Sequence, residues 1–252
     1  MYELLFAIED MKSGNSNSMS DYYLGEILKI VQDSFLDDLD KCSKIASLEW
    51  LCRNILEWEQ MKCMQYMMKI DPSIYANLVQ IIYKSEEDGD VVDKEKSDLA
   101  KKVYSGFDKA KFCPTEKDGK VNYESLKEWL DKFKDLLILQ KQDRLFGNLI
   151  GHLLAYSPIG EDGYMPCEAV RIIIEEYYSA SLKTSYIIAE ENKRGVHTVD
   201  AGKSEMKLHQ KYRNNAEALQ CKYPHTAEIY FDLSDSYKWQ ADRERRRAED
   251  QW

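Results

Sequence analysis

Residues 122–137 read NYESLKEWLDKFKDLL, and their apolar side chains recur every three or four positions. The apolar positions are Leu126, Trp129, Leu130, Phe133, Leu136 and Leu137. On a helix of about 3.6 residues per turn these positions form one stripe, whereas on a strand they would be divided between the two faces. Asn122 stands directly before the stripe and is a favoured N-cap residue. The stretch therefore predicts an amphipathic helix that begins after Asn122.

The same spacing recurs along most of the chain. Three further stripes have it: 48–56, 74–82 behind the helix-starting pair Asp71-Pro72, and 170–177, in a helix predicted to open at Pro166. Less regular patterns predict helices near 2–12, 21–38, 97–110, 141–156, 204–222 and 225–250. No stretch predicts a strand. We therefore expect an all-α protein of about nine to ten helices, packed as an irregular helical array or short superhelix.

The acidic stretch 85–98 gives a candidate domain boundary. It holds seven acidic residues against two lysines, and such a run repels itself and is typical of a solvated linker or loop. The chain of 252 residues is long enough for one large domain or two small ones. We predict an N-terminal helical part at 1–84 and a C-terminal helical domain at 99–252. The alternative is one unbroken domain with an acidic surface loop.

The charge balance limits the partners of the protein. With 45 Asp and Glu against 35 Lys and Arg, the net charge is −10, and its field repels nucleic acid and anionic membranes. The longest run without a formal charge, 145–160, has 16 residues, and a bilayer requires about 20. The six cysteines lack the two-residue spacing of zinc and redox motifs. We therefore expect reduced thiols, a cytoplasmic location and no membrane partner.

The sequence contains no motif with the spacing that catalysis or metal binding requires. Gly202-Lys203-Ser204 looks like the end of a phosphate-binding loop, but the glycine that should precede it by five positions is His197. The turn at Asp118-Gly119 lacks acidic residues at both ends of a calcium loop. No catalytic residue, metal ligand or cofactor is predicted, and the sequence favours a protein without enzymatic activity.

One polar segment is a candidate interaction site. The residues Asn192, Lys193, Arg194, Gly195 and His197 place two cations and a glycine at the end of a predicted helix. They could present a basic contact point to a partner. The alternative is simple capping, because cations favour a helix C-terminus and glycine favours the position just past it.

Two other interpretations of the function stay open. The first is an enzyme or ligand-binding domain whose site is assembled from separated residues around the 192–209 loop, with Arg194, His197, Glu205 and His209 as contributors. The second is a nucleic-acid-associated accessory domain, which would need its lysines and arginines to gather on one face despite the acidic total.

Several short stretches together carry a resemblance to a protein group. They are Leu48-Glu49-Trp50, Asp118-Gly119 before Leu126-Lys127-Glu128-Trp129, Ile150-Gly151-His152-Leu153-Leu154-Ala155, Pro166-Cys167-Glu168-Ala169-Val170-Arg171, Asn192-Lys193-Arg194-Gly195-Val196, and Tyr212-Arg213 with Ala216. From about residue 45 to 250 the chain resembles the C-terminal helical region of large, mostly uncharacterised bacterial proteins. The resemblance implies the end of a longer polypeptide or a split-off relative, and it implies no activity.

These observations lead to one main hypothesis. The chain is predicted to be a non-enzymatic helical protein-interaction module of a larger bacterial protein or assembly. Its partner would be a separate protein or other domains of that larger protein.

Overall fold

Helices form all the regular structure of the described part of the protein. A computed structural model describes residues 18–53, 56–83, 94–195 and 200–249, and it contains no strand in those ranges. The all-α prediction is confirmed, and the predicted nine to ten helices are close to the eleven in these ranges. The helices are α1 Ser18–Val31, α2 Leu39–Leu51, α3 Lys62–Ile70, α4 Pro72–Ile82, α5 Lys94–Asp108, α6 Tyr123–Leu139, α7 Phe146–Ala155, α8 Glu168–Tyr177, α9 Ala180–Asn192, α10 Lys203–Leu219 and α11 Pro224–Glu249.

The chain divides into two compact units, Met1–Ala110 and Lys111–Trp252. Helices α1–α5 belong to the first unit and α6–α11 to the second. Most of the predicted acidic linker, 85–93, lies outside the described residues, as does the predicted helix at 2–12, whereas 94–98 begin α5. The linker and the predicted division into 1–84 and 99–252 stay predictions.

The capping residues expected from the sequence are in place. The Asn122 side chain accepts a hydrogen bond from the Ser125 backbone N–H at 2.9 Å, at the start of α6. Asp71 likewise accepts from the Ser73 N–H at 2.9 Å, with Pro72 in the first turn of α4. Each side chain satisfies an N–H group that has no partner within its own helix.

Other helix boundaries differ from the expectation. The stripe at 48–56 is helical only to Leu51, because a turn follows that keeps Cys52 and Leu56 buried without continuing the helix. The helix predicted to open at Pro166 begins at Glu168. No helix is predicted at 62–70, where the structure has the nine-residue helix α3. At 48–56 the apolar periodicity therefore reflects burial, which does not require a helix.

In the first unit, a buried carboxylate joins α2 to α3. Glu49 on α2 is fully buried, and its two oxygens accept the backbone N–H groups of Cys63 at 3.2 Å and Met64 at 2.7 Å. These groups belong to the first turn of α3, which has no acceptors of its own for them. Burial raises the pKa of Glu49 to about 7, and the two hydrogen bonds offset only part of this rise.

In the second unit, glycines allow two helix contacts that a side chain would block. A Cβ atom at Gly151 on α7 would collide with the Leu182 carbonyl oxygen of α9. Gly202 has a φ of 81°, which favours glycine, and a Cβ atom there would lie 2.8 Å from the Cα of Ala241 on α11. The backbones of α7 and α9, and the start of α10 and α11, therefore approach each other directly.

The buried carboxyl of Glu49 gives a pH dependence that we predict for stability. The folded protein keeps this proton up to about pH 7, whereas the unfolded chain loses it near the ordinary value of 4.5. The folded state therefore binds more protons in that window, and the free energy of unfolding falls by about 3 kcal/mol as the pH rises through it. Outside this pH range the Glu49 carboxyl does not contribute to the pH dependence of the free energy of unfolding.

Urea unfolding across that pH range measures the effect. Glu49→Gln cannot ionise and should lose this part of the slope, whereas Glu26→Gln, at a half-buried position on α1, should keep it. The same slope in Glu49→Gln as in the unchanged protein would contradict the assignment.

Candidate functional site

The predicted interaction segment lies at the end of α9. Asn192 is the last residue of the helix, and Gly195 has a φ of 62° and donates its N–H to the Asn192 carbonyl oxygen at 3.3 Å. This left-handed geometry is the one that the capping alternative requires. His197 lies outside the described residues.

Lys193 connects the ends of two helices. Its Nζ donates to the Ala155 carbonyl oxygen at the end of α7 and to Oε1 of Glu190 on α9. It also lies 5.0 Å from the centre of the Tyr156 ring. The Glu190 side chain is only 3% exposed, so the ammonium compensates a carboxylate that water does not reach.

Arg194 has a similar role toward α10. Its Nη2 pairs with Oε1 of Glu205, which lies in the first turn of that helix. The Arg194 side chain is 15% exposed and the Glu205 side chain 1%. The guanidinium also lies 5.9 Å from the centre of the Tyr237 ring. The pair joins the end of α9 to the start of α10 across a loop of which 196–199 are not described.

Four buried tyrosines surround these charges: Tyr186, Tyr212, Tyr230 and Tyr237. The Tyr212 hydroxyl donates to Oε2 of Glu190 at 3.3 Å, and the hydroxyls of Tyr186 and Tyr230 lie 2.7 Å apart. Burial raises the pKa of Tyr237 to about 12 and raises the pKa values of the other three as well. All four hydroxyls therefore stay protonated near neutral pH, and that of Tyr212 donates to the Glu190 carboxylate.

Three carboxylates near this cluster have the chemistry of a cation site. One oxygen each of Asp200, Glu205 and Glu244 lie within 4.8 Å of one another, and Ca²⁺ and Mg²⁺ prefer such ligands. Each carboxylate already has a structural partner, however. Asp200 accepts the Ser204 N–H at 3.1 Å and Glu244 accepts the Gly202 N–H at 3.2 Å, while Glu205 pairs with Arg194. Asp200 and Glu244 thus bind N–H groups at the start of α10, and Glu205 binds a cation from the end of α9.

The structure brings together only part of the assembled site that the sequence suggests. Arg194 and Glu205 are in contact. His209 lies one turn further along α10, where its Nδ1 is 2.8 Å from the Ser234 hydroxyl and 3.0 Å from the Ser234 carbonyl oxygen of α11. The interaction and catalytic roles considered for this region stay predictions.

The second unit also has a groove of about 530 Å³ between the turn at 119–124 and the segment 159–172. Arg171, only 1% exposed, holds its wall by donating to both carboxylate oxygens of Asp162 at 2.5 and 2.8 Å. This contact lowers the pKa of Asp162 to about 2. At the groove edge Lys120 pairs with Glu161 at 3.1 Å. Most charged side chains of the groove therefore already pair with other charged residues of this unit.

The first unit contains a pocket that sequence reasoning does not find. This cavity of about 250 Å³, called the tryptophan pocket below, lies between the end of α2, the turn at 56–61 and α5. Its apolar lining includes Trp50, Leu56, Trp58 and Met61. A Cβ atom at Gly106 of α5 would lie 2.6 Å from the Trp58 ring, so the helix backbone rests directly on the indole.

Charged side chains complete the lining of the tryptophan pocket. They are Arg53, Lys102 and Lys109, with Glu57 as the acidic member. The Arg53 guanidinium lies 5.0 Å from the centre of the Trp50 ring and donates to the Trp50 carbonyl oxygen at 2.9 Å. Lys109 pairs with Glu59 at 3.1 Å. The pocket therefore combines two indoles with an excess of cations.

Comparison with known proteins gives no match: no family model, curated protein or solved structure is similar to this chain. Within the ranges that the structure describes, no helix has both the length and the apolar content needed to cross a bilayer. The resemblance to bacterial C-terminal regions stays a prediction.

The Arg194–Glu205 pair leads to a prediction for stability. Arg194→Met keeps most of the aliphatic volume but leaves the Glu205 carboxylate buried without its cation, which should cost about 3–5 kcal/mol. Arg245→Met is the matched control, because Arg245 pairs with Asp242 on the exposed side of α11 and should cost at most about 1 kcal/mol.

Thermal or urea unfolding measures both variants. Adding Glu205→Gln to Arg194→Met removes the buried charge and should recover part of the loss. Equal losses in Arg194→Met and Arg245→Met would show that the buried pair has no special role.

Proposed function

We propose that this protein is a non-enzymatic protein-interaction module that binds a side chain of its partner in the tryptophan pocket. The observation that carries the proposal is the pocket itself, with Trp50 and Trp58 in its lining and Arg53 over one indole ring. Its volume of about 250 Å³ is below the range of roughly 300–1,000 Å³ that is usual for small-molecule sites. That size suits one large side chain of a partner.

The residue types in the pocket favour binding over catalysis. Tryptophan and arginine are the residues that most often dominate the energy of protein interfaces. Among the described residues, the pocket lining has no histidine or cysteine. Its carboxylate, Glu57, caps the turn at Trp58–Gln60 and so already has a structural role. Among the described lining residues, the one hydroxyl group, that of Ser105, has no histidine to serve as its base, and a nucleophile with an adjacent base is the usual signature of covalent catalysis.

The second unit offers weaker candidates for the same role. Lys193 and Arg194 are engaged with buried carboxylates, and the groove at 119–124 and 159–172 matches its charges internally. We infer that both regions serve mainly to hold the helices of this unit in place. A place in a larger bacterial assembly and a cytoplasmic location belong to the same proposal, and the six reduced cysteines fit such a location.

Blocking the tryptophan pocket tests the proposal. Ser105 is an exposed residue of α5 in the pocket lining, so Ser105→Phe should fill the cavity without disturbing the core. Ser43→Phe, at an exposed position on α2 outside the lining, is the matched control. Peptides selected from a random phage-displayed library should bind the unchanged protein and Ser43→Phe, and should bind Ser105→Phe at least about tenfold more weakly.

The affinities are measured by fluorescence anisotropy with labelled synthetic copies of the selected peptides. Circular dichroism confirms that both variants are folded. If the selected peptides bind Ser105→Phe as tightly as Ser43→Phe, they do not bind in the tryptophan pocket, and the proposal is wrong.

A further inference from the structure

The tryptophan pocket is lined by more cations than carboxylates, whereas the chain as a whole is negatively charged. The protein carries 45 acidic and 35 basic residues, yet the pocket lining has three cations against Glu57, with Glu59 beside the lining as the partner of Lys109. Such local reversal of sign sets the preferred charge of the ligand, because complementary potential is a source of specificity at interfaces. The pocket therefore favours an anionic ligand.

The cations are arranged beside apolar surface. Arg53 lies over the Trp50 ring and makes its side-chain hydrogen bond, within the described residues, to the Trp50 carbonyl oxygen. Lys102 lies on α5, Lys109 follows directly after the last residue of that helix, and both line the pocket. A ligand that inserts an apolar group between the indoles would bring its neighbouring groups next to these three cations.

The size of the cavity limits what the anion can be. About 250 Å³ leaves room for one aromatic side chain, with its acidic neighbours outside on the rim. A nucleic acid would bring many phosphates toward a chain of net charge −10, and repulsion from the rest of the protein would oppose it. A protein segment carries fewer charges and can concentrate them beside the anchor.

On this basis, and resting on the function proposed above, we propose that the partner segment is an acidic peptide: a large aromatic anchor flanked by aspartate or glutamate. The anchor lies between Trp50 and Trp58. The flanking carboxylates contact the cations of Arg53, Lys102 and Lys109.

Three labelled peptides of equal length test this inference by anisotropy on the full chain. Each has one central tryptophan, flanked by glutamates in the first, glutamines in the second and lysines in the third. The glutamate peptide should bind about tenfold more tightly than the glutamine peptide, and the lysine peptide should bind most weakly.

A charge reversal in the pocket should remove that preference. Lys102→Glu is expected to weaken binding of the glutamate peptide about tenfold and to leave the glutamine peptide nearly unchanged. Lys101→Glu, an exposed neighbour on α5 outside the pocket lining, makes the same change in net charge and should have little effect.

The outcomes separate the two proposals. Equal binding of the glutamate and glutamine peptides, lost in Ser105→Phe, would overturn the acidic partner and leave the interaction pocket in place. Binding of none of the peptides, or binding unaffected by Ser105→Phe, would overturn both. A single-stranded DNA oligonucleotide that competes at the pocket more strongly than the glutamate peptide would also overturn both.

Discussion

The packing of this protein depends on satisfying the N–H groups at helix starts with carboxylates from other helices. The first turn of any α-helix has N–H groups without intrahelical acceptors, and burying them unpaired is costly. Here Glu49 of α2 accepts from the start of α3, Glu175 of α8 accepts from His225 and Thr226 at the start of α11, and Glu244 of α11 accepts from Gly202 before α10. Each such contact fixes where one helix begins relative to another.

The burial of carboxylates in this protein is compensated in two different ways. Glu205 pairs with Arg194, and Glu190 pairs with Lys193 and accepts from Tyr212, so cations or hydroxyl donors balance their burial. Glu49 has two backbone N–H donors and no ion pair within the described residues, and its pKa rises. The rise follows from desolvation of the charged form, which two amide dipoles offset only in part.

The sequence predicts well what depends on neighbours along the chain. The stripe at 122–137, the cap at Asn122 and the Asp71-Pro72 start are local features, and the structure has all of them. The contacts that join Arg194 to Glu205 and Glu49 to Cys63 depend on tertiary packing, because eleven and fourteen residues separate the partners and the intervening chain turns back. In a chain with 45 acids, nothing marks these few as buried.

The tryptophan pocket is hidden from sequence reasoning for the same reason. Trp50 lies within the segment 48–56 but is not one of its stripe positions, and it is half-buried beside Arg53 where the helix ends early. The opposite wall comes from α5, about fifty residues later. Gly106 is the one local signal, since a glycine inside a predicted helix suggests close approach of another group to the backbone.

The electrostatics of the chain would work on an acidic partner at two ranges. At long range the net charge of −10 repels it, whereas Arg53, Lys102 and Lys109 attract it only at contact. Ions at physiological strength screen interactions beyond about 8 Å much more than contacts inside a partly desolvated pocket. At physiological ionic strength, the repulsion from the net charge is therefore reduced more than the attraction to the pocket cations. An acidic segment without an aromatic anchor gains little binding energy, because its carboxylates stay away from those cations. In the proposed partner, the aromatic anchor must enter the pocket before the flanking carboxylates come near the cations. Selective binding of that partner therefore requires the aromatic anchor and the acidic residues together.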